Sequence, residues 1–183
     1  MKRFAAWLLL AVTLAYPFTV YWGLHYVEPR SIAFALLGVV LLRIALRAPG
    51  PMHATALIAC LLALLALVGN VALPLKLYPV AVNAVLLGLF AVSLRRPPTV
   101  VERIARLQDP DLSPEGVLYT RTVTIAWCIF FACNGALALV TALRGSAELW
   151  AFYNGFLAYL LIGAMFAGEW LCRQRVRARS ARV

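Results

Sequence analysis

The chain has 183 residues, 64% hydrophobic and 13% charged, with 17 basic and 7 acidic side chains and a net charge of +10. That composition leaves room for one helical bundle and excludes an extramembrane catalytic domain, since no polar stretch outruns the connection from Arg95 to Arg121. In a soluble protein such a charge points to nucleic acid. Here its placement follows from membrane sidedness, so no nucleic-acid partner is expected.

A bilayer core about 30 Å thick needs roughly 20 apolar residues of helix. Six apolar runs are present, at about 4–24, 31–46, 54–75, 77–94, 118–143 and 149–171, and five of them come close to that length. The fold class predicted is an all-α polytopic bundle of six transmembrane helices with both termini cytoplasmic. The first run follows Lys2 and Arg3, as in a secretion signal, but it is too long and no small-residue cleavage site follows. An uncleaved first helix is expected, kinked at Pro17. The turn Glu28-Pro29-Arg30 leads to the second run, which reaches only about 24 Å. It crosses if Arg43 snorkels to the interface, and a re-entrant hairpin is the alternative. Pro49-Gly50-Pro51 and Pro74-Leu75-Lys76 then read as turns into the third and fourth spans. Joins this short make neighbouring helices antiparallel and adjacent.

The long connection has structure of its own. Thr99, followed three residues on by Glu102, matches a capping box that opens a helix over about 99–108. Val100, Val101, Ile104 and Leu107 fall on one face, so this helix is expected to lie in the membrane interface. Arg95, Arg96, Arg103 and Arg106 are its candidate contacts to anionic lipid headgroups. Asp109-Pro110-Asp111 ends it. Ser113 as N-cap, Pro114 in the first turn and Glu115 beside the positive helix end begin the fifth helix.

Alternating from inside, fourteen basic residues fall on one face, and only Arg30, Lys76 and Arg144 fall on the other. Cytoplasmic loops are rich in Lys and Arg, so this split sets the direction of every span and puts both termini inside. Tyr21, Trp22, Tyr26, Tyr78, Trp150 and Tyr153 gather near the outer boundary, with Trp7, Tyr119 and Trp170 near the inner one, as aromatic belts do.

Four asparagines lie within the spans: Asn70, Asn83 and Asn154 in the outer third, and Asn134 near the middle. They form either a polar pocket opening outward, with His25 and Glu28 at its mouth, or amides bonded across helix pairs. Glu169 is the one acid in the body of a span. It is either a proton-handling carboxylate or half of an interfacial ion pair with Arg173, four residues on. Asp109, Asp111 and Glu115 are explained by helix breaking and capping, so no metal is expected. His25 and His53 lie on opposite faces, which leaves no shared metal, haem or Ser/His/Asp site, and no phosphate-binding glycine loop is present. No enzymatic activity and no cofactor are expected. Cys60, Cys128, Cys133 and Cys172 have no CxxC spacing and read as small buried side chains. Gly163, Ala164 and Gly168 on the last helix, and Cys128, Ala132 and Ala136 on the fifth, form small-residue stripes. These suit close packing of the two helices, or a homodimer.

The second half carries a resemblance. Arg95-Arg96-Pro97, Ala126-Trp127, Phe130-Phe131 and Gly135 are similar to the septation protein A family of bacterial inner-membrane proteins. Val101-Glu102-Arg103, Asp109-Pro110-Asp111-Leu112, Trp127-Cys128, Asn134-Gly135, Tyr153-Asn154-Gly155 and Gly168-Glu169-Trp170 resemble uncharacterised small bacterial membrane proteins more closely. The latter are encoded beside aryl polyene and fatty-acid-like synthases. The resemblance covers about 75 residues, from Pro97 to Trp170, and implies a role in envelope biogenesis or envelope-lipid (aryl polyene-type) production, with other envelope-biogenesis membrane proteins as partners. It supplies no catalytic residue. A carrier or export factor for an amphipathic, acyl-type substrate is the alternative.

Overall fold

A computed structural model describes residues 17–23, 26, 28–45 and 52–180. Lys2, Arg3, Trp7, His25, the turn Pro49-Gly50-Pro51 and most of the first predicted span lie outside them, and the side chains of Arg43 and His53 are not described. Every regular element among the described residues is helical. Residues 17–23 form α1, followed by α2 (Pro29–Ala45), α3 (Met52–Gly69), α4 (Leu73–Lys76), α5 (Tyr78–Arg95), α6 (Val100–Arg106), α7 (Pro114–Arg144), α8 (Ala147–Phe152) and α9 (Ala158–Ser180). A single π turn, Tyr153–Leu157, joins α8 to α9.

Helix α3 stops earlier than the sequence suggests. Asn70 takes a left-handed backbone with φ 47°, which breaks the helix after Gly69 and which asparagine tolerates better than most residues. Its side chain accepts from the Arg30 N–H (3.3 Å), and Arg30 Nε caps the Leu67 carbonyl (3.3 Å). Pro74 is therefore not the turn between spans. It sits in the first turn of α4, where its missing N–H costs no hydrogen bond. Leu77 carries the helical bonding from Leu73 through to Ala81, so residues 73–76 belong to the following span and not to the preceding one.

Three helical runs among the described residues are long and apolar enough to cross a membrane: Leu73–Arg95, Pro114–Arg144 and Ala147–Gln174. Helix α7 is the axis of this half. Its buried positions, among them Thr120, Val123, Thr124, Trp127, Phe131, Asn134, Ala138 and Thr141, recur every three or four residues, the single stripe expected of a helix with one packed face. Helix α5 packs along it, while α2 and α3 pair through Ile32, Ala33, Ala63 and Ala66. The opposite faces carry large exposed apolar side chains, such as Phe34, Val68, Val92, Ile129, Leu160 and Phe166. So many large apolar side chains at the surface suit contact with lipid.

The two ends of this half are chemically different. At one end lie Arg95, Arg96, Arg103, Arg106, Arg121 and Arg173, tied across helices by Tyr119 Oη donating to the Glu169 carbonyl (3.1 Å) and by Arg121 donating to the Leu94 carbonyl (3.2 Å). At the other end, Trp150 is fully buried and donates from Nε1 to the Lys76 carbonyl (3.1 Å). Trp150 and Tyr153 are thus core residues and not members of an aromatic belt. Trp22 and Tyr26 are exposed and stacked, at 6.2 Å between ring centroids.

Candidate functional site

The polar side chains of the bundle interior converge where α5, α7 and the π turn meet. Helices α5 and α7 approach closely because Gly135 has no side chain: a Cβ there would lie 3.0 Å from the Asn83 Cβ. Beside that contact Asn134 Nδ2 donates to Asn83 Oδ1 (3.0 Å), and Tyr153 Oη donates to Asn134 Oδ1 (2.8 Å). Asn83 Nδ2 closes the chain on the Pro79 carbonyl (2.8 Å). All three side chains are buried, so each bond forms in a medium without competing water.

The π turn makes this possible. Its wider winding carries Tyr153, Asn154 and Gly155, three consecutive residues, to the buried side, where an α-helix would turn one of them outward. Asn154 Nδ2 donates to the Trp150 carbonyl (2.9 Å) and to Thr141 Oγ1 (3.3 Å). Gly155 leaves room for the Phe18 ring, since a Cβ there would come within 2.9 Å of it. The tripeptide therefore has one role per residue: a bond to Asn134, a bond to Thr141, and space for α1.

Of the four predicted asparagines the structure brings Asn83 and Asn134 into one hydrogen-bonded chain and places Asn154 on the adjoining turn. Asn70 does not join them. It is exposed and serves as the left-handed stop after α3. Tyr153 was missed as a site residue; its inward placement as the first residue of the π turn, two before Gly155, is not visible in the sequence.

At the arginine-rich end the capping box is present, with Glu102 N–H donating to Thr99 Oγ1 (3.2 Å) and Thr99 N–H to Glu102 Oε2 (3.4 Å). Ser93 of α5 adds what the sequence did not suggest: its hydroxyl accepts from the Val100 N–H (3.1 Å) while donating to the Phe90 carbonyl (2.7 Å). That bond supplies a partner to one of the unpaired N–H groups at the start of α6 and fixes α6 to α5. The predicted apolar face of α6 divides. Ile104 and Leu107 are exposed, whereas Val101 is buried with Val123 and Trp127 of α7.

The four candidate headgroup arginines divide too. Arg106 is engaged internally, by Glu102 (2.9 Å) and by the Pro110 carbonyl (3.0 Å). Arg103 donates from Nε to the Pro98 carbonyl (3.0 Å), and Arg95 and Arg96 are exposed. Glu169 and Arg173 form the expected pair, with contacts of 2.6 and 2.8 Å.

The small-residue stripes do not mediate packing between α7 and α9. Gly163, Ala164, Gly168, Ala132 and Ala136 are all exposed, and a Cβ on Gly163 or Gly168 would meet nothing within 4 Å. Instead Phe166 reaches across to Trp127, with the rings 4.9 Å apart, and Ile162 and Met165 pack against the cluster that contains Trp127. Bulky side chains hold the backbones apart and turn the small residues outward. The cysteines likewise are not buried: Cys133 and Cys172 are exposed, and Cys60 and Cys128 are half-buried. Among the described residues no three His, Cys, Asp or Glu side chains gather as metal ligands.

Among the described residues, fold and site together define an all-α architecture with three candidate membrane-spanning helices and a buried amide–phenol network. Comparison with protein-family models, with curated proteins and with solved structures finds no match.

Proposed function

We propose that the chain is a six-span bacterial inner-membrane protein, with both termini in the cytoplasm. Its role is that of a non-enzymatic scaffold for envelope biogenesis, acting through contacts with lipid and with other membrane proteins. The observation that carries this reading is the mutual satisfaction of the interior polar groups. Asn134 uses its amide on Asn83 and its carbonyl on Tyr153, which locks helices together and leaves little to offer a passing substrate. Sidedness follows from the arginine-rich end, since the positive face is cytoplasmic. Reporter fusions at Arg47, Gln108 and Val183 then read cytoplasm, and fusions at Glu28, Lys76 and Gly145 read the outside. The narrower role, support of aryl polyene-type lipid production, rests on the resemblance of the second half.

The scaffold and the carrier separate in one experiment. After Cys60, Cys128, Cys133 and Cys172 are replaced, Asn134→Cys should resist a membrane-impermeant thiol reagent applied from outside. In cells lacking the protein the envelope-lipid profile should change, and Asn134→Leu should restore it at wild-type abundance. Rapid outside labelling, together with loss of rescue, would favour a carrier for an acyl-type substrate.

A further inference from the structure

The surface between α5 and α6 is a groove of about 830 Å³, within the roughly 300–1,000 Å³ typical of ligand pockets. Its floor is apolar, formed along α5 by Gly88, Leu89, Phe90 and Val92 and closed by Val100 and Ile104 of α6. Arg96 and Arg103 line one end and no acidic residue lines any part of it. The nearest acid on α6, Glu102, is buried and paired with Arg106. Arg103 is held by the Pro98 carbonyl, and the Ser93–Val100 hydrogen bond keeps the two walls in register. From Ala84 to Val92 the apolar trough runs about 12 Å, with Arg96 about 6 Å further along the helix. One leaflet of a bilayer core is about 15 Å deep. The trough therefore covers most of the depth of one leaflet, and Arg96, about 18 Å from Ala84, falls just beyond it, where a headgroup would lie.

We infer that this groove binds one anionic phospholipid of the leaflet that contacts the arginine-rich end, its acyl chain along α5 and its phosphate between Arg96 and Arg103. The inference rests on the membrane placement proposed above but not on the scaffold role or the number of spans, which the fusions test separately. Arg95 and Arg106 are outside the groove wall, and a charge removed from Arg95 serves as the control.

The test uses the full chain purified in detergent, with native mass spectrometry of retained phosphatidylglycerol against phosphatidylcholine of the same chains. One phosphatidylglycerol should be retained preferentially. Arg96→Gln and Arg103→Gln, singly and together, should weaken it roughly fivefold for each charge removed, while Arg95→Gln should leave it near wild type. Gly88→Leu projects into the trough from a position where an added Cβ meets nothing within 4 Å. It should weaken binding at least as much while leaving helicity and thermal stability intact. Equal retention of the two lipids, retention indifferent to Gly88→Leu, or an Arg95→Gln loss matching that at Arg96 would each overturn the groove in favour of diffuse attraction.

Discussion

Removing Asn134 tests whether the interior network holds the helices together. Asn134 makes two side-chain hydrogen bonds, at 3.0 and 2.8 Å, to partners that are themselves buried. Interhelical bonds in membranes average about 0.6 kcal/mol with a maximum near 1.7, because the unfolded chain in the membrane also finds partners. Two such bonds give an expected loss of about 1.2 kcal/mol for Asn134→Leu, bounded near 3.4. Leucine is chosen over alanine so that lost volume does not add a cavity cost. Tyr153→Phe removes one bond alone and should cost about 0.6 kcal/mol. The pair should couple: Asn134→Leu with Tyr153→Phe should be less damaging than the sum by about 0.6 kcal/mol or more, above the 0.3–0.5 expected between independent sites. Reversible unfolding of the full chain in mixed detergent micelles, with unchanged denaturant dependence, gives all four corners of the cycle. Strict additivity would refute the reasoning, since it would mean that Tyr153 and Asn134 do not share a bond in the folded protein.

Other expectations follow from neighbouring contacts. Gly135→Val should push α5 from α7 against the Asn83 Cβ, 3.0 Å from a Cβ at that position, and cost about 1–3 kcal/mol in the same unfolding assay; a neutral result would show that the helices can separate freely. Ser93→Ala leaves the Val100 N–H without its partner and should loosen α6, seen as faster amide exchange over Val100–Arg106 with α7 unaffected. Unchanged exchange would mean that the capping box alone holds α6. Glu169→Gln, by contrast, should cost no more than about 0.5 kcal/mol, because its partner Arg173 is one helical turn away and partly exposed. A loss above 2 kcal/mol would indicate a role beyond the ion pair.

Helix identity and local caps were legible in the sequence because each depends on residues close in the chain. Thr99 and Glu102 form a capping box, Ser113 accepts from the Gly116 N–H, and Glu169 pairs with Arg173, all within four residues. Apolar length suggested six crossings, and three of the helices among the described residues are long and apolar enough to make one, since a bilayer sets a minimum length and little else. Where two local signals competed, the reading failed. Pro74 looked like a turn, but the left-handed Asn70 ended the helix first.

What only the tertiary structure decided is which face of each helix meets which neighbour. In a chain whose outward face is as apolar as its interior, hydrophobic periodicity carries no inside signal. Gly163 and Gly168 therefore looked like a packing stripe yet face outward, while Trp127, Met165 and Phe166 make the contact. The asparagines could be named from sequence, but not paired. That required Gly135 to bring α5 against α7, and a π turn to bring Tyr153 beside Asn134. Sequence spacings of 51 and 19 residues are closed by helix packing alone, and no local pattern encodes them.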